Sequence, residues 1–154
     1  MRICGIELKG SEAVLCVLGY NLGAFELPDC RQRQMAVSNS EDTEAIRKFQ
    51  FTIRKLFDDY KVERVAIIKR EQKGKFAGSA TSFKLEAALQ LLDMPVEVYT
   101  PSTMKDQMKR NPLQTDFASL GLKKFQQQAF NVAYAAHNLR LYKESGDYSE
   151  PDLT

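Results

Sequence analysis

"GIELKGSEAVLCVLG", residues 5–19, reads as two strands joined by a tight turn, with an acid, Glu7, near the end of the first. The connection Lys9-Gly10-Ser11 contains a glycine that can take the positive φ a hairpin turn requires. From Ala13 to Leu18 the second strand has no polar residue. A strand with one wet face would alternate, so this one is expected to be buried on both faces, inside a sheet covered by helices. Glu7 then needs a reason to stand beside a buried strand.

Working outward, "RICGIEL" (2–8) and "EAVLCVLGY" (12–20) form the hairpin, and a third strand is expected from "GAFEL" (23–27), "RQMAV" (33–37), or both. A long helix follows over 38–62. Ser38 and Glu41 fit a capping box, and Ile46, Phe49, Ile53, Leu56 and Tyr60 recur at helical spacing. "ERVAIIK" (63–69) is a short β-branched strand. "SFKLEAALQLL" (82–92) reads as a helix with Phe83, Ala87, Leu91 and Ala88 inward, and "PVEVYT" (95–100) as a strand. Pro101 suits the first turn of a short helix through Lys109, and "LKKFQQQAFNVAYAAHNLRLY" (122–142) reads as a last helix with Phe125, Ala129, Val132, Ala136 and Leu139 inward. Three antiparallel strands followed by β-α-β crossovers predict an α/β fold: a mixed five-stranded sheet flanked by helices, in one domain over 1–142.

A chain of 154 residues can bury a core without metals or disulfides. No apolar run is long enough to span a bilayer and the start lacks a signal-peptide pattern, so no membrane partner and a cytoplasmic location are expected. Cys4, Cys16 and Cys30 have no CxxC spacing. Buried thiols, with Cys4 and Cys16 close across the hairpin, are expected rather than a disulfide or a zinc site. The net charge of +2 conceals a basic body: residues 1–143 hold 22 basic residues against 16 acids, and "ESGDYSEPDLT" (144–154) holds four acids and no base. Residues 143–154 are expected to be a poorly ordered acidic tail.

With "GIELKG" at its start, "VAII" in the fourth strand and "VYTPSTMK" at the fifth strand and next helix, the chain resembles the ribonuclease H-like superfamily, within it the RuvC-type Holliday-junction resolvases, and also a small bacterial family of this arrangement with no assigned function. That resemblance implies carboxylates from strand 1, the end of strand 4 and the final helix gathered around two divalent ions, Mg²⁺ or Mn²⁺, which stabilise the attacking and leaving oxygens of an in-line displacement. Glu7 matches the first position, where the family usually has Asp. The end of strand 4 reads Ile68-Lys69-Arg70 before reaching Glu71, and the final helix offers Gln126, Gln127, Gln128 and Asn131 where resolvases carry acids. Glu71 and Glu86 are the remaining acids able to supply a second ligand. With one clear acid present, Lys69, helped by Lys9, is expected to balance Glu7 in place of metal.

"KREQKGKFAGSATSFK" (69–84) packs Lys69, Arg70, Lys73 and Lys75 into seven positions ahead of Gly78, Ser79 and a helix start. Mobile cations and free amides at a helix N-terminus suit phosphate, although this is no Walker A motif and a loop kept soluble by lysines is the plainer alternative. His137, the only histidine, is expected to interact with its helix C-terminus, Met104 and Met108 to be core contacts, and Gln126–Gln128 to be one exposed turn. Three functional readings stay open. One is a domain that binds DNA or RNA, or another phosphorylated partner, through the 69–75 loop with Lys9, Lys84 and Lys105, with little or no hydrolysis and no cofactor. The second is a Mg²⁺- or Mn²⁺-dependent nuclease with Glu7, Glu71 and the Asn131 position at its centre. The third is a protein-interaction module whose partner the sequence does not name.

Overall fold

The computed structural model describes residues 1–145. Strands β1 (Arg2–Lys9) and β2 (Glu12–Asn21) form the hairpin, followed by β3 (Ala24–Glu26), β4 (Gln34–Ala36), α1 (Thr43–Asp59), β5 (Arg64–Ile68), α2 (Ala80–Gln90), β6 (Val96–Tyr99), α3 (Pro101–Arg110) and α4 (Gln127–Ser145), with short 3₁₀ turns at Phe117–Leu120 and Lys124–Gln126. The sheet runs β3-β2-β1-β5-β6. β1 pairs antiparallel with β2 and parallel with β5, Ile6 opposite Ile67. The α/β class and the mixed sheet are as the sequence implies.

The sheet has six strands rather than five because both candidates for the third are strands. They lie end to end along one edge of β2: β3 pairs Gly19–Asn21, β4 pairs Glu12–Val14, and the chain between them leaves the edge. Gln126 occupies part of that gap. Its side-chain amide donates to the Leu15 carbonyl at 2.9 Å while its carbonyl accepts from Lys123 N, so this glutamine is buried rather than part of an exposed turn.

Helices cover both faces of the sheet. Cys4, Ile6 and Leu8 pack with Phe49, Ile53 and Phe57 of α1 and Leu85 and Leu89 of α2. Ile3, Val14, Cys16 and Leu18 face Met104 of α3 and the alanine-rich α4. Both thiols are buried, but on opposite faces. In the observed register Cys4 meets Val17 and Gly5 meets Cys16, and a one-residue offset reverses the face. Burial pushes the Cys4 thiol up and Cys16 to about 12.

Other expectations are corrected in detail. α1 starts at an Asp42 cap, whose carboxylate accepts from Glu44 N, rather than at the expected Ser38–Glu41 box: Glu41 lies before the helix, its N–H donating to the Asn39 side chain. α2 buries Leu85, Ala88 and Leu89 and leaves Leu91 79% exposed: the larger aliphatic stripe wins the core side. Phe125 falls in the 3₁₀ turn before α4 and is exposed. His137 turns from its helix end to the sheet, its Nε2 2.7 Å from the Leu18 carbonyl. The expected tail falls largely on 146–154, outside the described residues. Among the described residues no helix is long and apolar enough to cross a membrane.

Candidate functional site: a cleft at the end of β1

Ile3, Gly5 and Glu7 alternate onto the α4 face of the sheet. At Gly5 the helix backbone reaches the strand itself: a Cβ there would collide with the Ala129 carbonyl and stand 2.9 Å from Ala133 Cβ. This contact sets the first turns of α4 across the end of β1. Glu7, two residues on, then shares a cleft of about 310 Å³ with Gln128 and Asn131, which lie three apart on α4. Ile68, Pro101, Met104 and Met108 form its apolar wall, and Lys105 stands at its exposed rim. α3 is aimed there by its start, where the Thr100 hydroxyl accepts from Thr103 N and Pro101 occupies the first turn. Met104 is thus a core residue and a cleft residue at once.

Glu7 is half-buried, and desolvation raises its carboxyl above its ordinary value, with Lys9 pulling in the other direction. Among the described residues its side chain makes no hydrogen bond or ion pair. The expected balance by Lys69 is absent. Ile67 is paired with Ile6, so Ile68 continues the register beside Glu7, and strand alternation turns Lys69 away. Lys69 instead donates its backbone N–H to Tyr99 O.

The two-ion centre implied by the ribonuclease H resemblance does not fit these residues. Among the described residues no three His, Cys, Asp or Glu side chains gather where a metal could be held. The cleft supplies one carboxylate, two neutral amides and a lysine, too little negative charge for a pair of divalent ions. Glu71 is exposed in the loop after β5, bridged through its backbone to Ala77 and Gly78. Glu86 pairs with Arg70 at 3.3 Å.

The basic stretch after β5 divides into two parts. Arg70 is held within the fold: it donates to the Ser82 hydroxyl, the Ile68 carbonyl and Glu86, and its guanidinium lies 4.6 Å over the Phe83 ring. Lys69, Lys73 and Lys75 are exposed, as is Phe76 at 84%. Ser79 caps α2 by accepting from Ser82 N and donates to the Gly10 carbonyl, which ties the end of this loop to the β1–β2 turn near Lys9. Lys84 reaches the other way, to the Ser40 carbonyl. The structure therefore brings Glu7, Lys105 and Asn131 into one cleft and leaves Glu71, Arg70 and Lys84 outside it. Gly5 and Phe76 escaped the sequence reading: glycine in a strand signals a close backbone approach, and an aromatic among lysines and glycines signals an exposed ring.

Among curated proteins, none matches this sequence significantly. Among solved structures, the chain is similar to Thermus thermophilus RuvC, with a TM-score of 0.70 at 16% identity over 96% of this chain and 98% of that one. It is also similar to T. thermophilus RuvC in complex with a Holliday junction substrate, with a TM-score of 0.69 at 16% identity and the same coverage. At that identity the likeness establishes the fold, which is ribonuclease H-like. The model of one family matches residues 1–136, and the chain accordingly belongs to the family described as "Protein of unknown function (DUF3010)".

Proposed function

We propose that the chain is a ribonuclease H-like nucleic-acid-binding domain whose cleft at the end of β1 works without metal and with little or no hydrolysis. The observation that carries this reading is the cleft's composition. Glu7 stands where the fold's nucleases begin their metal site, yet its neighbours are Gln128, Asn131 and Lys105 rather than acids. A lysine at the rim replaces metal charge as the attraction for phosphate.

At the same end of the sheet, the β1–β2 turn and the loop after β5 expose Lys9, Lys69, Lys73 and Lys75, with Phe76 as an exposed ring in that loop. Exposed rings in a basic groove hold unstacked bases without reading sequence, and lysines track the backbone. The solved complex of T. thermophilus RuvC with a Holliday junction makes a four-way DNA junction the first probe. Fluorescence anisotropy with junction, duplex and single-stranded DNA and RNA over a salt series tests the reading. Binding that weakens as salt rises supports it, and absence of binding at low salt to all of them refutes it.

A further inference from the structure

The Glu7 cleft has a lining unlike a phosphate site and unlike a metal site. Its wall is apolar, from Ile68, Pro101, Met104 and Met108, and its polar groups are a carboxylate, two amides and a single cation at the mouth. A phosphate placed inside would meet the Glu7 carboxylate. A flat, largely apolar ring with hydrogen-bonding edges would not, and about 310 Å³ lies at the small end of the range for ligand clefts.

Resting on the nucleic-acid reading above, we infer that this cleft receives an unpaired guanine base, its edge on Glu7 with Gln128 and Asn131 and its phosphate toward Lys105. Glu7 decides among the bases. Its carboxylate accepts only, has no hydrogen-bond partner among the described residues, and is best satisfied by two adjacent donors. Guanine presents such a pair, the ring N1–H and the N2 amino group. Adenine and cytosine each set an amino group beside a ring acceptor, and thymine and uracil flank their one N–H with carbonyls that would repel a carboxylate. The amide of Gln128 or Asn131 supplies a donor for guanine O6, and both sit on the helix face that lines the cleft. A partner's arginine also offers paired donors, but Lys105 would oppose its charge, whereas it suits the phosphate of a nucleotide.

Titration of the whole protein with GMP, IMP and AMP, followed by NMR or calorimetry, tests the assignment. IMP lacks only the N2 amino group. GMP is expected to bind at least tenfold more tightly than IMP or AMP, and acidification to weaken it as Glu7 takes up a proton. Glu7→Gln, shown folded by circular dichroism, should erase the preference, while Lys105→Ala should weaken GMP and AMP alike and keep their ratio. Equal affinity for the three nucleotides overturns the inference, as does binding of arginine methyl ester without GMP. A four-way junction titrated into the same preparation separates the two readings. Junction binding with no GMP binding at millimolar nucleotide sinks the guanine site alone, and loss of both sinks the nucleic-acid reading too.

Discussion

Gly5 and Ala129 touch through backbone: the strand has no side chain where the helix carbonyl sits, and a methyl group on Gly5 would occupy that oxygen's place. The cleft depends on this contact, because it fixes how far α4 lies from β1 and hence where Gln128 and Asn131 stand relative to Glu7. Since the obstacle is backbone rather than a mobile side-chain tip, Gly5→Ala is expected to cost toward the upper end of about 1–3 kcal/mol for overpacking. Urea unfolding should show it as a lowered midpoint at unchanged slope. A wild-type midpoint would mean that α4 does not press on β1 as described.

Glu7→Gln should raise the melting temperature at neutral pH. Desolvation raises the carboxyl in the fold, so the native protein holds this proton more tightly than the unfolded chain does. The stability associated with that proton is present below the ordinary carboxyl value of about 4.5 and is lost as pH rises through the folded value. Melting curves of both proteins from acid to neutral pH should therefore converge at the acid end and separate toward neutrality. A variant less stable than wild type at pH 7 would show Glu7 to be a paired charge.

His137 produces the opposite slope. Burial depresses it from 6.5 to about 4, and as a neutral ring it donates to the Leu18 carbonyl. The unfolded chain then binds a proton the native chain refuses, so stability falls as pH drops from about 6.5 toward about 4, by a total of about 3 kcal/mol. Following the His137 ring by NMR in the Glu7→Gln background isolates this effect. Titration of His137 near 6.5 in the folded protein would contradict it.

Arg70 and the loop lysines should behave differently although they are sequence neighbours. Arg70→Ala removes the cation paired with the largely buried Glu86 and the donor to the Ser82 hydroxyl, and is expected to lower stability by about 1–3 kcal/mol. Lys73→Ala with Lys75→Ala should leave the melting temperature within a degree or so and reduce the log-log salt slope of duplex binding by about 0.9 for each phosphate no longer neutralised. A double variant with an unchanged slope would assign these lysines to solubility.

The contrast shows which features local sequence carries. The unbroken apolar run Ala13–Leu18 and the proline at Pro101 declare themselves by composition, so the sheet and α3 were legible. The positions of Arg70 and Lys69 were not, because neighbours in sequence part company where a strand ends, and alternation decides which face each takes. The edge of β2 was ambiguous for a related reason: two three-residue strands share it, and neither is long enough to show a period. Within the cleft, Glu7, Lys105 and Asn131 could be named one by one. Their meeting needed α4 to be seated on Gly5, a long-range contact.

The most direct test of the central claim is a single experiment on a labelled four-way DNA junction. Binding is measured in EDTA and in millimolar Mg²⁺ or Mn²⁺ at constant ionic strength, and the strands are then resolved on a denaturing gel. The account predicts that neither ion tightens binding beyond its value in EDTA, and intact strands throughout. Incision that requires Mg²⁺ or Mn²⁺ and disappears in Glu7→Gln would contradict it and establish the cleft as a metal-dependent nuclease site.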